Sequence, residues 1–482
     1  MTGTGDKPLQ KYLRYGYLIL ISTVLPLFMR QGYFELGEAK GLCYMVLSGV
    51  FALLFLIFDG KRLFERGRLT GSLCICLLAF FFSNLLSFVF SVDKKAAFLG
   101  LDGWRSGFLT ICLMLFFFLV FYEKEYVPDS YVMAAVMITP FLESVLAVLN
   151  RIGIYPFEIY GQNPGFVATI GNINWFTAYL SVFVPLGAGI SCSRKLFSKE
   201  FFLSALYMEV TLTALLMQGS DSGLIVILAV YGVLLFASLA TRQEFRMFLV
   251  QLFVLGLSME TGWLLITIFR ESYNYQDNLL KSICTSHAGA IIMALVLLIY
   301  RSSRLFEEIR LPWRAGIYRI LAGTAALAAC AAAGFIFIPG LDYSSGNGRI
   351  LIYSICLDMY REMDPVRKIF GAGQDCLYSY AYQDPVISES LYNVFGFNTL
   401  TNAHCDLLTI LIERGILGVL TYMALLISFA AGIFKHKNKH AALVCALILV
   451  SYFLNSLVSF SLVVSAPFFF LAMAVGLSME KN

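Results

Sequence analysis

The chain has 482 residues, of which 59% are hydrophobic and only 14% charged, with a net charge of +4 and a mean hydropathy of +0.77. That much apolar sequence excludes a water-soluble protein, and its recurrence in runs near twenty residues suits helices crossing about 30 Å of hydrocarbon. Short alternating segments, the mark of a membrane β-barrel, are absent, and the small net charge points to no nucleic-acid partner, so the sidedness of the charges carries more information than their sum.

The expected fold class is therefore all-α: a polytopic integral membrane protein with about fourteen transmembrane helices. The apolar runs place them at roughly 15–29, 41–58, 70–90, 107–122, 130–149, 173–191, 201–217, 222–239, 247–269, 284–300, 316–338, 407–434, 441–459 and 461–479. Residues 1–16 are short and polar, and the run after them lacks a small-residue cleavage pattern. They read as the lead-in to a first span with a cytoplasmic N-terminus rather than as a signal peptide. Alternate loops then gather the positive charge, among them Lys61, Arg62, Arg66 and Arg68; Arg194, Lys195 and Lys199; Arg301, Arg304 and Arg310; and Lys435, Lys437 and Lys439. By the positive-inside rule these loops and both termini are cytoplasmic. Three regions follow: an N-terminal bundle at 1–338, a large extracytoplasmic loop at 339–406, and C-terminal helices at 407–482.

On the external side the segment 91–106 carries Trp104 and Arg105. The segment 150–174 ends in Gly171-Asn172-Ile173-Asn174-Trp175, and Gln218-Gly219-Ser220-Asp221-Ser222-Gly223 makes a tight turn between two apolar runs. The large loop opens with glycines and serines. It then offers Arg349 to Met363, in which Ile350, Tyr353, Ile355, Leu357 and Tyr360 are roughly helix-spaced, as an amphipathic helix at the interface. Asp364-Pro365 ends that helix, Gly371-Ala372-Gly373 is a turn, and Tyr378, Tyr380 and Tyr382 crowd a short stretch. A loop this long and this aromatic is more than a connector. Cys356 and Cys376 admit a disulfide, although spacing alone equally allows free thiols.

Each polar constellation admits two readings. His404 lies where the large loop meets an apolar run. It suits a proton acceptor near neutral pH, or simply a helix-end anchor. Arg349 at the other end of the loop offers a planar fork suited to phosphate, or is an unrelated surface residue. Arg105 beside Trp104 suits a phosphate and a sugar, or an interfacial anchor pair. Asn172 and Asn174 suit a polar ligand, or a helix N-cap; Asp221 suits a base-orienting acid, or a cap of the helix after it. Glu143, Glu209 and Glu260 fall inside apolar runs, where charges are costly and mark a polar pathway or a pairing. No phosphate-binding Gly-rich loop, zinc spacing or nucleophile elbow occurs, so no metal or cofactor is expected.

The pattern Asn402-Ala403-His404-Cys405-Asp406-Leu407-Leu408, followed by Gly415-Ile416-Leu417-Gly418, resembles the segment after the long periplasmic loop of O-antigen ligases and related polysaccharide polymerases. Arg349…Tyr353…Gly371-Ala372-Gly373 is similar to that family's Arg-x-x-x-Trp and Gly-x-Gly stretch, Gly171-Asn172-Ile173-Asn174 to its Gly-Asn-Pro-Asn, and Gly100 through Gly107 to its early loop with an Arg before Gly. The departures are Asp221 in a turn where the family has Gly-Ser-Arg-Gly, Cys405 for Asn and Tyr353 for Trp. The resemblance implies a metal-independent membrane glycosyltransferase of a bacterial inner membrane. It would move glycan from a polyprenyl-pyrophosphate donor to a sugar hydroxyl of a glycan or lipid-glycan acceptor on the outer face. His404 would be the base, Arg349 and Arg105 would hold pyrophosphate, and Asn172, Asn174, Asp221 and Asn402 would line the substrate. A flippase for lipid-linked oligosaccharide, resting on the buried glutamates, and a non-catalytic envelope partner are the alternatives.

Overall fold

The computed structural model describes residues 8–65, 71–122, 126–308, 314, 316–318, 348–396 and 399–479. In chain order its helices are α1 Pro8–Leu27, α2 Leu36–Glu65, α3 Ser72–Val89, α4 Lys94–Leu99, α5 Phe108–Phe121, α6 Ser130–Arg151, α7 Ile173–Cys192, α8 Lys199–Met217, α9 Ser222–Ser238, α10 Arg242–Ile268, α11 Leu279–Thr285, α12 Ala288–Glu308, α13 Arg349–Glu362, α14 Pro365–Phe370, α15 Leu377–Gln383, α16 Pro385–Phe395, α17 Asp406–Lys435, α18 Lys439–Ser456 and α19 Ala466–Ser478. The strands β1 Phe166–Val167 and β2 Gly171–Asn172 form a small antiparallel hairpin inside the segment expected to be loop.

The chain is an all-α membrane protein. Among the described residues nine helices are long and apolar enough to cross a bilayer, and α5, α9 and α19 are shorter apolar helices. Many large apolar side chains point away from the bundle, including Ile57, Ile75, Leu298 and Ile427. Such an exterior is stable only against hydrocarbon. The expected spans at 15–29, 107–122, 222–239 and 461–479 coincide with α1 and the three shorter helices, and the expected span at 316–338 lies almost wholly outside the described residues.

α7 is the most enclosed of the long helices. It packs against α8, α9 and α18, while α17 packs along α3 and α19 along α5. Inside the bundle, several charged groups are satisfied locally, as burial demands. Lys40 Nζ reaches the carbonyls of Leu25 (3.3 Å), Pro26 (2.6 Å) and Phe28 (3.1 Å) at the end of α1. Those are the orphan acceptors of a helix C-terminus, where a cation is also favoured. Glu143 accepts from the Thr169 amide (3.0 Å) and hydroxyl. Glu209 accepts from Thr213 Oγ1 (3.2 Å). Glu260 takes the Ala290 amide (2.8 Å) and faces His287 Nδ1 (3.2 Å). Of the three glutamates, Glu143 thus ties α6 to the hairpin, Glu209 bonds within its own helix, and Glu260 joins α10 to α12.

The large loop is folded rather than draped. α13 buries Ile352, Cys356 and Met359, a stripe at i, i+4 and i+7, instead of the expected Ile350, Tyr353, Ile355, Leu357 and Tyr360. The reason is that α13 packs on α17, so the face turned to protein, not a membrane surface, selects the stripe. Asp364 ends α13 and starts α14, accepting the amides of Val366 (2.9 Å) and Arg367 (3.0 Å) with Pro365 in the first turn. Cys356 and Cys376 are free thiols, and Cys376 Sγ instead donates to the Asp93 carbonyl at 3.5 Å.

Candidate functional site

The site begins where α17 begins. Asn402 Oδ1 accepts the His404 amide (3.0 Å), and the Thr409 hydroxyl accepts the Ala403 amide (3.1 Å). The chain is thereby turned sharply before the helix, and His404 adopts a left-handed backbone, φ 49°. A non-glycine residue there is strained by roughly 1–3 kcal/mol unless its surroundings hold it. The Tyr353 hydroxyl donates to the His404 carbonyl at 3.3 Å and lies 3.4 Å from that of Leu457. Tyr353 and Arg349 are one helical turn apart on α13, so they share a face of that helix. The half-buried imidazole is lowered from its ordinary value to about 4 by burial and by the Arg349 guanidinium beside it. It is neutral at pH 7, with a lone pair free to take a proton.

The ring of His404 meets Phe460 edge-on, with centroids 5.4 Å apart. Phe460 meets Trp104 at 5.1 Å, and Trp104 meets Trp175 at 5.7 Å. This aromatic chain joins the start of α17, the connection 457–465, the early loop and the mouth of α7. The two Trp-bearing segments singled out in the sequence are therefore joined to the histidine through Phe460.

The other expected site residues have defined places. Arg105, also at a left-handed φ of 54°, is committed to carboxylates: its Nε lies 3.0 and 2.9 Å from the Glu38 oxygens, and its guanidinium 2.7 Å from Asp102. Glu38 also takes the Gly103 amide (2.8 Å). Arg105 thus ties the early loop to α2. Asn172 caps α7 by accepting the Asn174 amide (2.8 Å), and Asn174 Oδ1 accepts the Ser220 hydroxyl (2.7 Å). Asp221 is exposed and does not cap its own helix; it accepts the Leu280 amide (3.2 Å) at the start of α11. These bonds link Asn172 to Asn174, Asn174 to the Ser220 beside Asp221, and Asp221 to α11, and none of them reaches His404. Asn402 acts through the turn it imposes. Cys405 makes no side-chain cap, and burial pushes its thiol up, so it is a neutral wall.

Several residues of the site lay outside the motifs. Phe460 sits in what reads as a tight turn between two spans, and nothing in its sequence marks it. Asp406 Oδ1 accepts the Ser461 amide (3.2 Å) and so fixes that connection against α17. The glycine motifs prove architectural. α17 is broken at Gly415 (φ 63°, ψ −171°), and the carbonyls exposed there, Ile412 and Glu413, accept the amides of Ala372 (2.9 Å) and Gly373 (2.8 Å). A Cβ on Gly371 would stand 2.2 Å from the Glu413 carbonyl, and one on Gly415 2.3 Å from that of Ile369. Gly-Ala-Gly and the Gly of Glu-Arg-Gly therefore interlock two backbones.

Among the described residues no group of His, Cys, Asp and Glu is arranged to hold a metal ion. No protein-family model matches the chain, and no curated protein matches its sequence.

Proposed function

We propose that this protein is a membrane glycosyltransferase that moves a glycan from a polyprenyl-pyrophosphate donor to a sugar hydroxyl. The observation that carries the reading is the convergence of Arg349, Tyr353 and a strained, neutral His404 with Trp104 and Trp175. A base, a cation and aromatic rings are what this reaction needs in one place. His404 takes the acceptor hydroxyl proton as that oxygen bonds to the anomeric carbon. The bond from that carbon to the pyrophosphate breaks, and the departing diphosphate carries its charge to Arg349. Arg105 is reassigned from phosphate ligand to anchor of the Trp104 loop. The fourteen-span topology, with both termini cytoplasmic and the site facing outward in a bacterial inner membrane, belongs to the same proposal.

Transfer by the purified protein in lipid tests it, with a host-derived polyprenyl-pyrophosphate oligosaccharide as donor, host glycans as acceptor and EDTA present. Wild type transfers, and His404→Ala folds but loses roughly a hundredfold or more of the rate. A variant as active as wild type ends the role of His404. Movement of the donor lipid across the bilayer without transfer favours a flippase, a reading for which Glu143, Glu209 and Glu260, all engaged in packing, offer little.

A further inference from the structure

Asp375 lies in the large loop just after Gly371-Ala372-Gly373, and its carboxylate meets the early loop. One oxygen, Oδ2, accepts both the Leu101 amide (2.8 Å) and the Ser106 amide (3.0 Å). These two amides flank the tip of the early loop, so a single atom closes that loop from both ends, with Trp104 between them. The opposite side of the same loop is held by Glu38, through the Gly103 amide and Arg105. The loop carrying Trp104 is thus slung between two carboxylates, one from the bundle and one from the large loop.

Asp375 is itself rigidly placed. Its residue is 7% exposed and takes a left-handed φ of 56°. The stretch before it is pinned by Ala372 and Gly373 to the break in α17, and the Val92 amide donates to the Ala372 carbonyl at 2.8 Å. Gln374 Nε2 donates to the Asn84 carbonyl at 2.5 Å. Arg105 and Arg414 face the carboxylate as cations and Glu413 as an acid. Two amide donors on one carboxylate oxygen are charge-assisted and hold more firmly than neutral pairs. The helix that receives this docking, α17, begins two residues after His404.

We propose that Asp375 is a positioning residue that couples docking of the large loop to the placement of Trp104 against Phe460, the ring that packs on His404. The inference rests on the reading of His404 as the working group, but it makes a claim about structure that stands apart from turnover. The large loop then has a role in assembling the site. Only when 371–375 is seated on α17 is the early loop closed, and only then does Trp104 reach Phe460 and hold that ring against the imidazole.

The test uses the full chain in lipid nanodiscs with two readouts that need no substrate. Hydrogen exchange is followed in the peptide covering 99–107, and modification of His404 by diethyl pyrocarbonate, which attacks neutral imidazole, is followed by peptide mass. In Asp375→Ala the 99–107 amides exchange roughly a hundredfold or more faster, the loss expected for two charge-assisted bonds. His404 is modified faster, while α7 and α18 exchange as in wild type. Asp375→Asn, which keeps an acceptor oxygen, returns both readouts toward wild type. Unchanged 99–107 exchange in the alanine variant overturns the proposal, as does faster exchange with unchanged His404 modification. Should Asp375→Ala not fold, Trp104→Ala decides: His404 is modified faster with 99–107 still protected, and an unchanged His404 rate sinks the idea. Absence of transfer in wild type would remove the enzymatic reading and leave these outcomes intact.

Discussion

At the scale of single residues, the state of His404 decides what the site does. Burial first and Arg349 second hold its imidazole at about 4, against an ordinary value near 6.5. The sign follows from linkage: below about 6.5 the unfolded chain takes up a proton that the folded one refuses until about pH 4, so this group withdraws stability as pH falls through that window. The same shift predicts that the acid limb of transfer lies well below the ordinary histidine range. In Arg349→Gln the limb moves upward while remaining under 6.5, because burial still acts. The pH dependence of kcat/KM, together with an NMR titration of His404 in labelled protein, measures both; a limb at 6.5 in wild type contradicts the arrangement. A base at about 4 is weaker than acceptor activation at pH 7 calls for. An anion that covers Arg349 cancels the second cause, so inorganic pyrophosphate should raise the His404 pKa in the same titration. No movement on saturation would mean that Arg349 is not the anion ligand.

Elements were legible to differing degrees, and the glycines of α17 show why. The run 407–434 reads as one uninterrupted span, and along one helix nothing else is visible. The break arises from tertiary docking, since residues 371–373 supply the amides that satisfy the carbonyls freed at 412 and 413. The backbone at Gly415 lies in a region open essentially to glycine alone, and its Cβ position is occupied by the Ile369 carbonyl. Gly415→Ala is therefore expected to cost about 2 kcal/mol or more and to lower the unfolding temperature in detergent. Gly49→Ala, in α2 with nothing within 4 Å of the new Cβ, should be neutral or gain a few tenths to about 1 kcal/mol. Equal effects at the two positions would refute the interlock. The same logic explains the misread face of α13, which α17 selects, and the unforeseen hairpin at 166–172. Apolar runs and cap residues announce themselves locally, whereas docking surfaces depend on partners tens to hundreds of residues away. Of the candidate site, His404, Arg349, Trp104 and the Asn172 cap were readable because polar residues beside long apolar runs stand out. Phe460, Glu38 and Asp375 were not, because a phenylalanine in a membrane protein and acids in polar turns look ordinary.

At the scale of the whole molecule, α17 separates two chemically different ends. It has 30 residues, about 45 Å of helix at 1.5 Å per residue before its bend, enough to cross hydrocarbon. At its start lie His404 and the aromatic chain; at its end His436 lies 3.2 Å from the Gly476 carbonyl of α19 and 3.0 Å from that of Asn438, amid the basic run Lys435, Lys437 and Lys439. Positive charge prefers the cytoplasmic side, so the histidine end should face out. A cysteine introduced at Thr401 is then expected to react with a membrane-impermeant maleimide in intact cells. One at Lys437 should react only after the membrane is opened, the largely buried native thiols serving as background. Labelling in the reverse order would put the site on the cytoplasmic face, where a nucleotide-sugar donor would be within reach, and would remove the main reason for preferring a lipid-linked one. Equal labelling from both sides would instead mean that α17 does not cross, leaving the basic run on the same face as His404.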